Sequence, residues 1–564
     1  MRKILKIAEA LKPLYGERAT EVEDKVENII KKYEDKIHQT PPYQLSQKDV
    51  ILITYADTLY AEKQFPIQTL HKFLNDRLDG LINTVHLLPF YPYSSDDGFS
   101  VLDYFKVNPD VGRWEDIESF SLQYRLMFDA VVNHISKSSD WFQEYLKGNK
   151  AFEDFFIEVD ETDPALNQVF RPRALPLVHK YNALNGGMKS VWTTFSEDQI
   201  DLNFSNPEVF VLILEVLLFY ISKGARLIRL DAVGFLWKKL GTSCIHLPET
   251  HRIIQLYRQI IEAVTSDVFF ITETNVPHKD NISYFGNGKK EAHMVYNFTL
   301  PPLLAFSMIT QNIKKLAQWL SCLELPGDHM CYFNFTASHD GVGLQPVSDI
   351  LTDSEIQIFA DQVKKNNGFV SYKNNPDGSR SPYELNCTYL DLVAEPEDTL
   401  SIKSKKFILT QAVMLTLPGV PGVYIHSLLG SENDTHAAEE TGIYRRINRR
   451  RFEIDDLMPR LKNEQTLSGT IFSQYKKILK VRVNEAFFNP FLEFEVHEVN
   501  DQVLFIQKTM EKEIFWAIFN FSAEKQQISS QSIAWLDIIE NKKILSDWIV
   551  VEPYEFLWLK GDIG

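Results

Sequence analysis

Several short apolar runs of this chain end in ionisable residues. GARLIRLDAV, residues 224–233, carries Arg229 and Asp231; FDAVVNH carries Asp129 and ends in His134; FFITET holds Glu273; FNFTASHD closes on His339 and Asp340. Side chains two apart on a strand share a face, so Arg229 and Asp231 point the same way while Leu230 points oppositely. Alone, that pair reads equally well as a buried ion pair that satisfies itself, an arrangement that is common and often energetically neutral. Repeated at the ends of different runs, the pattern asks for a separate partner for every desolvated group. One shared site is the simpler account.

Three carboxylates beside two His and an Arg suit three chemistries. A metal site lacks HxxxH or DxD ligand spacing. Nucleotide phosphate transfer lacks a GxxxxGK[ST] loop or other Gly-rich cradle. Glycosyl transfer needs one ionised carboxylate as nucleophile and one carboxyl kept protonated as acid, and the residues fit that requirement best.

Such groups must be held at the ends of strands. From Asp49 onward the chain alternates β-branched or apolar runs with helical segments: DVILITYAD, NTVHLLPFYP, YRLMFDAVVNH, GARLIRLDAV, DVFFITET, MVYNFTL, MCYFNFTASHD and, later, QAVMLTLPGVPGVYI. Strands alternating with helices imply a parallel sheet. Eight such units favour a (β/α)8 TIM barrel, whose active sites form at the C-terminal ends of the strands. The expected catalytic barrel takes residues 46–134, 204–340 and 400–489. Two connections are too long for ordinary loops and are expected to build a lid: an inserted domain over 135–203 and a second insertion over 341–399, on the acceptor side. Residues 1–45 read as an N-terminal helical extension with Ile4, Leu5, Ala8 and Leu11 on one face, and 490–564 as a small antiparallel β domain.

With 564 residues the chain is too long for one compact unit, and its net charge of −17 is spread along it. Nucleic acid is an unsuitable partner, and any anionic ligand must be held by local Arg or Lys against the global field. The cysteines (Cys244, Cys322, Cys331, Cys387) lie far apart without CxxC spacing, which suggests reduced thiols. The N-terminus lacks the features of a signal peptide. FVLILEVLLFYI, from Phe210 to Ile221, contains a Glu and is too short to span a bilayer. A cytoplasmic protein without membrane partners is expected.

DAVVNH, ARLIRLDAV, ITETN and FTASHD together resemble the four short regions of the α-amylase superfamily, in order and at suitable spacing. PFYPYSSDDGFSVLDYFKVNP, FRPRALPL, RLDAVGFLWKKLGTSCIHLP, TLPPLL and LPGVPGVYI with RRINRR downstream resemble its sucrose phosphorylase branch, from about Asp49 to the C-terminus. The resemblance implies that Asp231 is the nucleophile, Glu273 the general acid/base and Asp340 the transition-state stabiliser. It also implies a glucosyl pocket of Asp96, His134, Arg229, His339 and Arg449, with Phe99 as an apolar platform. The reaction would be a double displacement with retention, opened by inorganic phosphate to give α-glucose 1-phosphate, by a glycosyltransferase-type phosphorylase. Its two catalytic carboxyl groups should lie about 5 to 5.5 Å apart. Arg229 would keep Asp231 ionised, while burial or Asp340 would keep Glu273 protonated. Asn133 matches a calcium ligand of true amylases, but the branch resembled does not use that metal; neither metal nor cofactor is expected.

Phosphate needs cations, and Arg171 and Arg173 of FRPRALP are candidates, with the Tyr383 hydroxyl beside them. A typical sucrose phosphorylase holds fructose with an Asp and a Gln; here Ser381 and Glu384 stand in their places. KNNPDGSRSPYELN, RPRALPL and the N-terminal helices are closer to the glucosylglycerate phosphorylases, whose leaving group is the anion D-glycerate. Arg380 and Arg173 could pair with its carboxylate. A sugar phosphate, as in sucrose 6-phosphate phosphorolysis, would use similar cations, so charge alone does not decide between them or exclude sucrose. An α-glucoside hydrolase would have no reason to carry the Arg-containing excursions. A non-catalytic relative would not need Asp231 and Glu273. The expected partners are an α-glucoside, inorganic phosphate, glucose 1-phosphate and glycerate, with the chain a monomer or homodimer.

Overall fold

The computed structural model describes residues 6–562 except 39, 174, 185, 287–289, 328 and 375–378. Ile4, Leu5 and the Asp377-Gly378 pair of KNNPDGSRSPYELN lie outside the described residues. Eight parallel strands close into a barrel: β1 Ile51–Thr54, β2 Thr84–Leu87, β3 Arg125–Val131, β4 Ala225–Asp231, β5 Phe269–Thr272, β6 Met294–Tyr296, β7 Cys331–Phe335 and β8 Val420–Tyr424. Each pairs with its chain neighbours, and β8 closes on β1. These strands are buried almost throughout, so their sequences read as continuous apolar runs without alternation. All eight runs singled out in the sequence contribute a strand. In the last, only Val420–Tyr424 is extended, and QAVMLT is the end of the helix Leu400–Thr416. A helix buried on every side carries no amphipathic signal, and Pro418-Gly419 rather than a polarity change separates the two elements.

The first long connection contains a hairpin, Val178–Asn182 with Met188–Trp192, and a pairing of His134–Ser136 with Gln199–Asp201 that ties it to the end of β3. The second carries the helix Asp353–Lys365 and an antiparallel sheet of Val342–Gly343, Phe369–Asn374 and Arg380–Asn386. Beyond the barrel, strands from Glu495 to Asp562 form a six-stranded antiparallel sheet with a two-stranded partner, around Trp516, Trp535 and Leu559.

Of the N-terminal helices α1, Ala8–Tyr15, and α2, Ala19–Tyr33, α2 packs on the outer face of the barrel helix α3, Pro207–Ser222, while α1 packs on α2 and on the barrel helix Pro248–Val264 and reaches α3 through Tyr15. Val22, Val26, Ile30 and Tyr33 are buried, the Tyr15 and Phe210 rings lie 5.9 Å apart, and Lys25 Nζ reaches Glu208 at 2.5 Å. This explains a helix that is apolar nearly all round: α3 faces the barrel on one side and α1 and α2 on the other, and Glu208 and Glu215 meet lysines of α2.

Candidate active site

The strand ends bring Asp231, Glu273 and Asp340 to one cavity at the C-terminal mouth of the barrel. Asp96, Phe99, His134, Arg173, His339, Tyr383 and Glu384 line it with them. Register sets the floor: Asp129 of β3 lies beside Arg229 of β4, and Val131 beside Asp231. Arg229, only 2% exposed, donates through Nη1 to Asp129 and, at 2.7 Å, to Asp231 Oδ1. Its Nη2 lies 3.9 Å from Glu273 Oε1. One guanidinium therefore serves both carboxyls, closely for Asp231 and loosely for Glu273. After Asp231 the chain turns through Ala232 in the left-handed region, φ 49°, which aims the Ala232 N–H at Glu273 Oε2, 3.2 Å away.

Burial raises both carboxyls and takes Asp231 up to about 8; Arg229 lowers each, and like charge raises each, that of Glu273 acting on Asp231 and that of Asp340 on Glu273. The pair thus holds a proton at neutral pH. The closer guanidinium contact makes Asp231 the better anion, so that proton belongs on Glu273. Asp340 goes the other way. Burial would raise it, but Arg445, whose Nη1 is 2.6 Å from Oδ1, with His339 and Arg449, holds it well below the usual carboxylate range.

On the opposite wall a sharp turn presents Asp96 and Phe99. Asp96, Asp97 and Gly98 all have positive φ, and at Gly98, φ 112°, a Cβ would come 2.7 Å from the Pro89 carbonyl oxygen, so only glycine fits. The Phe99 ring stacks on His339 at 4.7 Å. Asp96 accepts from Gln199 at 3.2 Å; burial raises it, but Arg173, Arg445 and Arg449 bring it down to about 2. His134 donates to the Phe99 carbonyl at 3.0 Å. Burial lowers His134 to about 4 and His339 to about 3, so both rings are neutral. Burial pushes the Tyr383 hydroxyl up to about 12. The wall therefore offers fixed anions, neutral donors and an apolar face, a combination suited to a sugar ring.

Some expected residues stand elsewhere. Arg229 and Arg449 lie behind the lining: Arg449 binds Asp97 at 2.7 Å and the His339 carbonyl at 2.8 Å. Arg171 is exposed, whereas the next two residues, Pro172 and Arg173, line the cavity. Arg380 is exposed at the outer end of its hairpin, opposite Asn374, too far along the strand to join Tyr383 and Glu384 at the cavity. Ser381 also lies outside the lining. The anion-facing guanidinium that sequence reasoning missed is Arg445, which forks onto Glu384 at 2.7 and 3.3 Å while holding Asp340. Its signal was the run RRINRR in an acidic chain, read there for Arg449 alone. Gln199 and Asp97 were missed too; nothing in their local sequence sets them apart.

Asn133 has a structural partner. Its side-chain oxygen and Asp201 Oδ2 converge on Lys238 Nζ, each at 2.7 Å. The lysine already supplies the cation that these oxygens hold, so they do not fit a further divalent ion.

Residues 76–340 match the alpha amylase catalytic domain. The chain is 42% identical over 558 residues to the glucosylglycerate phosphorylase of Escherichia coli K12, covering 98% of this chain and 100% of that protein. It is 47% identical over 446 residues to the glucosylglycerate phosphorylase of Spirochaeta thermophila, covering 79% of this chain and 75% of that one. Its fold is similar to the crystal structure of sucrose 6F-phosphate phosphorylase from Thermoanaerobacter thermosaccharolyticum, with TM-score 0.74 and 23% identity over 85% of this chain and 95% of that one.

Proposed function

Since this chain belongs to the alpha-amylase family and stands there with the glucosylglycerate phosphorylases, we propose that it is a retaining phosphorylase that splits 2-O-α-D-glucosylglycerate into α-D-glucose 1-phosphate and D-glycerate. The observation that carries the chemistry is the unequal sharing of Arg229 between Asp231 and Glu273. It supports assigning the nucleophile to Asp231 and the proton to Glu273. Asp231 attacks the anomeric carbon as Glu273 gives its proton to the departing glycerate oxygen; the glycosidic bond breaks and a glucosyl ester forms on Asp231. A phosphate oxygen then attacks the same carbon and gives up its proton to Glu273, the ester breaks, and glucose 1-phosphate leaves. Asp96, Asp340, His134 and His339 hold the glucosyl hydroxyls over Phe99. Arg173, Tyr383 and Arg445 face the phosphate and glycerate.

The substrate reading is supported by near full-length likeness to the Escherichia coli enzyme. The test is synthesis from α-glucose 1-phosphate with D-glycerate, glycerol, fructose or fructose 6-phosphate, followed by phosphate release. D-Glycerate is expected to be the best acceptor. A preference for fructose or fructose 6-phosphate overturns the substrate, and glucose release from glucosides without phosphate dependence overturns the phosphorylase.

A further inference from the structure

We propose that His86 is a positioning residue for Asp231, acting through Asp129 and Arg229. The chain of contacts crosses three neighbouring strands: His86 on β2, Asp129 on β3, and Arg229 with Asp231 on β4. His86 and Asp129 are 0% exposed, and neither lines the cavity. The two oxygens of Asp129 have different partners: Oδ2 accepts from His86 Nε2 at 2.7 Å, and Oδ1 is bound by Arg229 Nη1. The same Nη1 donates to Asp231 Oδ1 at 2.7 Å. One nitrogen thus serves two carboxylates, and its division between them depends on what other support each has. His86 gives that support to Asp129. Without it, a buried carboxylate oxygen loses its donor, and the guanidinium is the donor within reach, drawn toward Asp129 at the expense of Asp231.

The histidine is suited to this as a neutral ring. Its Nδ1 has no hydrogen-bond partner among the described residues, so a second proton would sit unsatisfied in the core. Burial pushes the ring down in the same sense, against the pull of Asp129. The groups acting on Asp231 are Arg229, Glu273 and Asp129; those acting on Asp129 are Arg229, His86 and His339. Of these, His86 is remote from the cavity yet bonded to the network.

This inference rests on reading Asp231 as the nucleophile, which is tested separately by trapping the wild-type protein with a slow fluorinated glucosyl donor and locating the ester. An unlabelled Asp231 removes that reading and this proposal with it. The positioning role is tested with His86→Leu, His86→Gln and His86→Asn, using α-glucosyl fluoride as donor because its leaving group needs no proton from Glu273. Gln can place an N–H where Nε2 stands; Asn is too short. His86→Leu and His86→Asn are expected to slow the reaction about tenfold or more, chiefly in kcat. They should also move the acid limb of the kcat/KM profile to higher pH, while His86→Gln restores most of both. If Leu does not fold, the comparison of Gln with Asn decides. Equal losses in Gln and Asn with an unmoved acid limb, or wild-type rates in Leu or Asn, overturn the proposal and leave the assignment of Asp231 standing.

Discussion

Glu273 touches Arg229 only at 3.9 Å and takes one backbone N–H, whereas Asp231 has a 2.7 Å bond to the same guanidinium. Glu273→Gln keeps the shape and removes the transferable proton, so turnover of a glucoside with a poor leaving group should fall about 10²–10⁴-fold. Asp231→Ala should abolish the glucosyl ester altogether. The same Gln should stabilise the fold. A carboxyl raised by burial favours the folded state fully below its unfolded value and loses that advantage as pH rises through its folded value. Glu273 is raised in this way and Asp231 with it, so charge in the pocket costs stability on the alkaline side. The gain in Tm for Glu273→Gln should be small near about pH 4 and largest near about pH 9. A gain independent of pH would count against an ionising Glu273. Asp231, Glu273 and Asp340 could be picked out in the sequence because each closes an apolar run. Arg445 could not be told from Arg449, since only the folded loop decides which guanidinium faces inward.

At the scale of elements, Lys238 fastens the first excursion to the barrel. Its ammonium joins Asn133, at the end of β3, to Asp201, which also accepts from Thr194 N at 2.6 Å and Thr194 Oγ1 at 2.7 Å. Lys238→Met keeps the bulk and strands a buried carboxylate, a change expected to cost about 3–5 kcal/mol. Denaturant unfolding and limited proteolysis between residues 135 and 203 measure it; a loss under about 1 kcal/mol would mean the lysine is dispensable. The barrel strands were legible because burial on both faces gives unbroken apolar runs with recognisable ends. QAVMLT was not, since a fully buried helix leaves the same trace as a strand. The inward reach of the RPR and SPYELN segments was legible only in part: Arg173, Tyr383 and Glu384 arrive, while Arg171 is exposed and Arg380 stands at the outer end of its strand.

For the whole molecule, α1 and α2 are a wall of the barrel rather than an appendage. Removing them would uncover the Phe210 ring of α3, which lies against Tyr15, and leave Glu208 and Glu215 without their lysines. A chain lacking residues 1–35 should self-associate and lose Tm, as light scattering after gel filtration and thermal unfolding would record. An unchanged monomeric, equally stable protein would refute the role. The described residues contain no helix long and apolar enough to cross a membrane; α3 has 16 residues. The pairing of Lys25 with Glu208 spans 183 residues of chain. On a ribosome adding about 5–20 residues per second, α2 therefore emerges roughly 10 to 40 seconds before the surface it covers. For that interval its apolar stripe is open to chaperones, and when the greasiest helix of the protein leaves the exit tunnel, its cover is already made.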